Sequence, residues 1–255
     1  MMTASEAVMR EAQQGARSGE PAEGPEIVVV SSGLSEDSAT TRLAQRMLDA
    51  VLGLLAARGV RARSTHVRLR GLARALTDLT VSGVPAPEVE EAFAAVRRAD
   101  AVITVAPVYK AAPVGIHTLF WQLIDDASLA GTPVLLGSTG GTPRHSLAAE
   151  AAMRPLIAYL KGIAAPTAVF AATDDWGAGA ASGLRERIAA AAAELVALMG
   201  AVAGGAGAPE SGSGASHEAG GLRFRADPGA QARAARLRDE FDPESVIPFA
   251  QLLGR

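Results

Sequence analysis

The chain has 255 residues, 49% of them hydrophobic, a formal net charge of −3 and no cysteine. That length accommodates one α/β domain of ~150–200 residues with appendages, and the charge makes no electrostatic case for nucleic acid, whose binders show a basic face. Without cysteine there are no disulfides, thiolate nucleophiles or zinc–thiolate sites, which fits a cytoplasmic protein.

Residues 1–25 lack the basic-then-apolar order of a signal peptide and read as a disordered leader. No stretch reads as the ~18–20 apolar residues of a membrane helix. Order is expected from Glu26, where "EIVVVSSG" is a short apolar run ended by small polar residues, as in a central parallel strand. A helix follows, with Leu43, Met47, Leu48, Val51, Leu54 and Leu55 at helical spacing and Gly59 as its C-terminal cap. "VRARSTHVRL" alternates as a second, more exposed strand. A polar loop then leads to a helix in "APEVEEAFAAVRRA" and a third strand in "DAVITVAP".

The same alternation continues through a helix in "VGIHTLFWQLID", a strand in "TPVLLGST", a helix in "HSLAAEAAMRPLIAYLKG", a strand in "APTAVFAA" and a long Ala-rich helix over 182–202. Strand and helix thus alternate five times, which predicts an α/β, doubly wound, five-stranded parallel sheet between two layers of helices. The domain is expected over 26–203. A Gly/Ser/Ala-rich linker over 204–238 and an apolar docking tail over 239–255 complete the chain.

Open α/β sheets bind ligands at the carboxyl ends of their strands, near the point where strand order reverses. Three loops fall on that edge. The first, "SSGLSEDSATTR", places Ser32, Ser38, Thr40 and Thr41 at or before a helix N-terminus, where hydroxyls and free N–H groups suit a phosphate. Ser38 as a simple N-cap accounts for the same pattern. Neither a "GxxxxGK[ST]" nor a "GxGxxG" motif is present.

The second loop, "APVYKAAPVG", is stiffened by Pro107 and Pro113 and offers Pro107, Val108, Tyr109 and Lys110 to a planar heterocycle. A rigid strand-to-helix turn with a solvated lysine is the alternative. The third, "GSTGGTPRH", has Gly140 and Gly141, which permit close backbone approach and positive φ, flanked by Thr139 and Thr142. Together the three describe a phosphate cradle and a flat, donor-lined slot on neighbouring strands, the layout of an FMN site. His66, His117 and His217 lack metal-ligand spacing, His145 is a cap or a nicotinamide contact, and Trp176 borders the site or simply packs.

"PVYKAAPVG" followed by "TGGTPRH", after a Ser/Thr-rich first loop, resembles the NADPH-dependent FMN reductase family over 26–201. Within it the chain is similar to the alkanesulfonate-type reductases, and "SATTRL", "DDWG" and "VIPFAQLL" resemble a subgroup partnered with luciferase-like monooxygenases. The resemblance implies a flavodoxin-like fold with strand order 2-1-3-4-5, a homodimer or homotetramer, FMN and NAD(P)H as redox pair, and release of reduced FMN to a flavin-dependent monooxygenase. It implies Ser32, Ser38, Thr40 and Thr41 at the phosphate, and Pro107, Val108, Tyr109 and Lys110 along the isoalloxazine. Thr139, Gly140 and Gly141 fall at its pyrimidine edge, with the N–H groups of Gly140 and Gly141 as the catalytic donors. Alkanesulfonate-type members carry an aromatic residue on an inserted helical turn where this chain has Ala151, and that departure argues against a bulge here. A tightly FMN-loaded quinone or azo reductase and a flavodoxin-type electron carrier remain the alternatives; the latter is disfavoured by the modest net charge and 4% aromatic content.

Overall fold

Alternating burial along three strands sets the two faces of a sheet. Ile27, Val29, Ala101, Ile103, Val105 and Leu135 pack into one core cluster, whereas Val28, Val30, Val102, Ala106, Val134 and Leu136 pack into the other. A strand buried on both faces must be apolar throughout, which is why these runs are continuous rather than alternating in sequence. The computed structural model describes residues 24–176 and 183–205. The expected leader (all but its last residues), most of the linker, the docking tail and His217 lie outside the described residues.

Strand β1 (Glu26–Ser31) pairs in parallel with β2 (Arg63–Arg68) on one side and with β3 (Ala101–Tyr109) on the other. β3 in turn pairs in parallel with β5 (Pro133–Gly140). The expected order 2-1-3-4-5 is therefore present, but the sheet has seven strands, not five. One added strand is β4 (Ala112–Pro113), which folds back antiparallel on the end of β3, with Tyr109 opposite Ala112. The other arises because the last strand is split: β6 (Ile163–Ala164) pairs with the start of β5 and β7 (Val169–Ala172) with its end. Pro166, which has no N–H for the ladder, lies in the gap.

On one face lie α1 (Ala39–Ala57) and α6 (Leu184–Gly205), packed against each other and the sheet. α6 is long and apolar enough to cross a membrane by length and composition alone, contrary to the sequence expectation. Its Leu184, Ile188, Ala191, Leu195 and Val196 are nevertheless buried against α1 and the strands. It extends to Gly205, three residues past the helix expected over 182–202.

The other face carries α2 (Leu69–Ser82), α3 (Pro87–Arg98), α4 (Gly115–Leu123) and α5 (Arg154–Tyr159). α2 replaces the expected polar loop. Leu69, Leu76 and Leu79 form its buried stripe, and Gly83, at φ 69°, ends it in the left-handed conformation. The expected single helix over 145–162 is three pieces: a 3-10 turn at Pro143–His145, a π-helical turn at Ala149–Met153, and α5. The bulge that Ala151 argued against is thus present without its aromatic residue. Glu150 and Arg154 pair across it, and Arg154 donates onward to the carbonyls of Ala165 (2.8 Å) and Pro166 (3.0 Å).

Candidate active site

The first loop turns on a close approach. A Cβ added to Gly33 would lie 2.0 Å from Ser38 Oγ and 2.9 Å from Thr41 Oγ1, so only glycine lets the loop fold down over the start of α1. Ser38 is the N-cap, with φ −64° and ψ 151°, and its Oγ accepts from the Thr41 N–H at 3.0 Å. The Ser38 and Thr41 hydroxyls are 2.9 Å apart. Thr40 faces inward, and its hydroxyl meets that of Thr139 at 2.8 Å in a buried contact that ties the first loop to the third. Ser32 is fully buried, with its N–H and Oγ both directed at the Val105 carbonyl (3.1 and 3.3 Å).

The second loop is a two-residue hairpin rather than a strand-to-helix turn. Lys110 and Ala111 both have positive φ, 52° and 66°, the mirror-type turn that matches strand twist and ordinarily uses Asn or Gly. Two left-handed non-glycine residues in a row store backbone strain, at roughly 1–2 kcal/mol each. The reversal holds Tyr109 half exposed at the rim, after a buried Pro107 and Val108. Val114 N–H donates to the Pro107 carbonyl at 3.0 Å and closes the base.

The third loop begins where β5 ends. Gly140 is the last residue paired with β7, and Gly141 is the first beyond that ladder. Neither has positive φ, so their permissiveness there is unused. Gly140 is needed for space instead: a Cβ would stand 3.0 Å from the Phe170 ring. A Cβ on Gly141 would enter open space.

These elements enclose a cleft of about 650 Å3. Ser38, Thr40, Pro107, Val108, Tyr109, Thr139, Gly140 and Gly141 line it together; Ser32, Thr41 and Lys110 do not. Leu34, Ser35, Arg42, Ala171, Thr173 and Trp176 also line it. Arg42 is the one charged side chain among these. Its Nη1 donates to the Asp37 carbonyl at 2.8 Å, and its guanidinium sits 5.0 Å from the Trp176 ring, with Arg46 at 4.8 Å from the same indole. The only sequence hint was the run "TTR" ahead of the α1 stripe; its partner lies more than 130 residues on. Arg144 and Arg154 lie outside the cleft.

In the core, Trp121 Nε1–H donates to Thr104 Oγ1 and His117 Nε2, both at 3.2 Å, and those two atoms are 2.9 Å apart. Burial pushes the His117 pKa down to about 3, so this ring is a neutral core group. Burial, aided by the Arg68 charge, also lowers His66, whose Nε2 shares a 2.9 Å hydrogen bond with Ser31 Oγ. No group of three or more His, Cys, Asp or Glu side chains that could hold a metal occurs among the described residues.

The cleft fits FMN in size and in donor chemistry. Its volume is in the range of small-molecule sites. Hydroxyls and a helix N-terminus lie at one end, an apolar wall of Pro107, Val108 and Tyr109 along the side, and a backbone edge free of side chains at Gly140 and Gly141.

Comparison with known proteins agrees. A sequence model described as NADPH-dependent FMN reductase matches residues 25–177. The chain is 34% identical to NADH-dependent FMN reductase SfnF of Pseudomonas fluorescens over 151 residues, covering 59% of this chain and 78% of that one. It is 31% identical to an FMN reductase (NADPH) of Pseudomonas aeruginosa over 150 residues, 59% and 78% of the two chains. Among solved structures, an oxidoreductase from Corynebacterium diphtheriae superimposes with a TM-score of 0.67 at 33% identity, covering 71% of this chain and 99% of that one. With the flavodoxin-like sheet, the converging loops and these matches in agreement, the chain belongs to the NADPH-dependent FMN reductase family and is an oxidoreductase that pairs FMN with a nicotinamide dinucleotide.

Proposed function

We propose that this FMN reductase treats FMN as a substrate that it binds, reduces and hands on to a flavin-dependent monooxygenase of the luciferase-like kind. The observation that carries this reading is the cleft's ring wall. Tyr109, 53% exposed, stands at the rim on an exposed hairpin, so among the described residues the ring wall is bordered by solvent. A site of that kind suits a flavin that comes and goes.

FMN supplies the hydride-accepting chemistry when bound, and the protein supplies position and electrostatics. The hydroxyls of Ser38 and Thr40 and the N-terminus of α1 hold the phosphate end. Pro107, Val108 and Tyr109 present a flat, preorganised face, and the hairpin strain is held by the pairing of β3 with β4. Thr139, Gly140 and Gly141 meet the polar edge of the ring. The Gly141 N–H, past the ladder, is in this reading the donor that offsets negative charge developing there. No acid–base side chain is required. The chain functions as a homodimer or homotetramer in this reading.

The test is anaerobic oxidation of NADH and NADPH by the full-length protein, with and without free FMN. Turnover that requires added FMN and saturates with it supports the proposal. A flavin retained through dialysis, with turnover only on a quinone or azo dye, would establish the prosthetic-group reductase instead. FMN binding without oxidation of either nucleotide would leave an electron carrier.

A further inference from the structure

Trp176 lines the flavin cleft, and the same indole lines a second cavity of about 460 Å3. This cavity is a groove between α1 and α6. Leu184 and Ile188 give it an apolar wall, and Arg46, Asp49 and Arg185 a charged one. Arg42 and Arg46 stand at i and i+4 on α1, a like-charge pair that costs an isolated helix stability. Their guanidiniums lie 5.0 and 4.8 Å from the centre of the Trp176 ring. Neither forms an ion pair with a described residue, and nor does Arg185. The carboxylates of the cavity are engaged elsewhere. Asp175 accepts from Arg187 at 3.0 Å and from the Ala172 N–H at 2.8 Å, and Asp49 accepts from Gln45 at 2.8 Å.

Three guanidiniums, one in the cleft and two in the cavity, are thus left without a carboxylate, on either side of one aromatic ring. Hydride transfer requires the nicotinamide inside the cleft, against the flavin. A nicotinamide dinucleotide carries a second nucleotide, joined through a diphosphate. With FMN on the ring wall and the first loop, that second half has to leave the cleft. The way past Trp176 meets its chemistry in order. Arg42 and Arg46 come first, as partners for the two phosphates. The groove over Leu184 and Ile188 follows, apolar enough for a purine and large enough for a nucleoside. Asp49 at its edge offers an acceptor to ribose hydroxyls.

We propose that the groove between α1 and α6 is the subsite for the adenosine diphosphate half of the nicotinamide dinucleotide. Arg42 and Arg46 hold the diphosphate where it passes Trp176, and Arg185 closes the far side of the groove. The proposal rests on the FMN reductase reading, which supplies a dinucleotide whose other half lies in the cleft.

The experiment uses full-length protein and two probes. Reduced nicotinamide mononucleotide has the reacting ring and lacks the adenosine half; ADP-ribose has the adenosine half and lacks the ring. The wild type binds ADP-ribose in calorimetry, which requires no turnover, and has a far lower KM for its preferred dinucleotide than for the mononucleotide. In R46Q/R185Q the ADP-ribose Kd and the dinucleotide KM rise about tenfold or more, as for loss of charge-assisted hydrogen bonds. The mononucleotide KM and the FMN Kd stay put. A189W fills the groove from an exposed position on α6 and does the same. A190W, equally exposed but outside the groove, behaves as the wild type. The advantage of dinucleotide over mononucleotide shrinks as salt screens the guanidiniums. The proposal is overturned if the wild type does not bind ADP-ribose, if mononucleotide and dinucleotide weaken together in the variants, or if A190W weakens the dinucleotide as much as A189W. Absence of turnover with NADH, NADPH and the mononucleotide alike, in the presence of FMN, would defeat the reductase reading itself. It shows before any variant is made, and ADP-ribose calorimetry on R46Q/R185Q and A189W then decides the groove alone.

Discussion

Single side chains set the geometry of the cleft, and two substitutions separate its roles. Gly141→Ala adds a methyl that meets no protein atom within 4 Å yet lies on the cleft wall. Its melting temperature should match wild type while FMN binding loses about 1–2 kcal/mol, the usual cost of one methyl too many in a fitted site; equal flavin affinity in a quenching titration would take the Gly141 edge away from the ring. Thr40→Val takes a hydroxyl from the phosphate end and so weakens FMN binding too, but it differs in its effect on stability. It strands the buried Thr139 hydroxyl, now 2.8 Å from its partner, and should cost about 1–3 kcal/mol in denaturant unfolding. A double Thr40→Val, Thr139→Val variant should regain part of that loss, because no orphaned hydroxyl remains. At this scale Ser38, Thr40, Tyr109 and the glycine pair were legible in the sequence because each combines an unusual residue type with a strand end. Arg42 was not, and Trp176 was readable only as either a border of the site or a packing residue. Their contact joins α1 to the end of β7, and nothing local in either segment announces the other.

The hairpin from Pro107 to Val114 is the element on which the flavin wall depends, and it is built against its own residue preferences. Lys110 and Ala111 occupy a turn whose φ values favour Asn and Gly. Ala111→Gly should relieve roughly 1–2 kcal/mol of left-handed strain and return roughly 0.5–1 kcal/mol as unfolded-chain entropy. The net is a stabilisation of up to about 1.5 kcal/mol, at about 2–4 °C in melting temperature per kcal/mol for a domain of this size. A lower melting temperature would show that the strain is not carried at Ala111. The hairpin went unread in the sequence for the same reason: without Asn or Gly, "YKAA" gives no turn signal. α2 was hidden differently. Its Leu69, Leu72, Leu76 and Leu79 have helical spacing, but Leu69 reads equally well as the last apolar position of β2, and Gly71 interrupts the pattern. The split of the last strand at Pro166 and the π-helical turn at Ala149–Met153 depend on tertiary packing, which a one-dimensional pattern does not carry.

At the scale of the molecule, the five major strands and their order follow from apolar runs separated by helical stretches, and right-handed crossovers leave few other arrangements. Those runs were visible because the sheet is buried on both faces. Burial of the sheet has a cost that pH exposes. His117 projects from α4 into the core cluster beside Thr104 and Trp121, fully buried and neutral, with a pKa pushed down to about 3 from an ordinary value of 6.5. A proton on Nε2 would face the indole N–H, so the folded state refuses the charge that the unfolded chain accepts freely. Between those two pKa values the unfolded state binds more protons, and stability therefore rises with pH. The contribution is intact above about pH 6.5 and is lost as pH falls, by about 2 kcal/mol at pH ~5 and roughly 4–5 kcal/mol once pH nears ~3. His66 shifts in the same direction and adds to the slope, whereas carboxylate titration is common to wild type and variant. His117→Gln keeps an acceptor for the Trp121 N–H but has no proton to gain. Urea unfolding of both proteins at pH 7 and pH ~5 should then show the wild type losing about 2 kcal/mol more than the variant over that interval. Parallel losses would mean that the ring takes up its proton inside the fold, and that the Thr104–His117–Trp121 cluster opens to water.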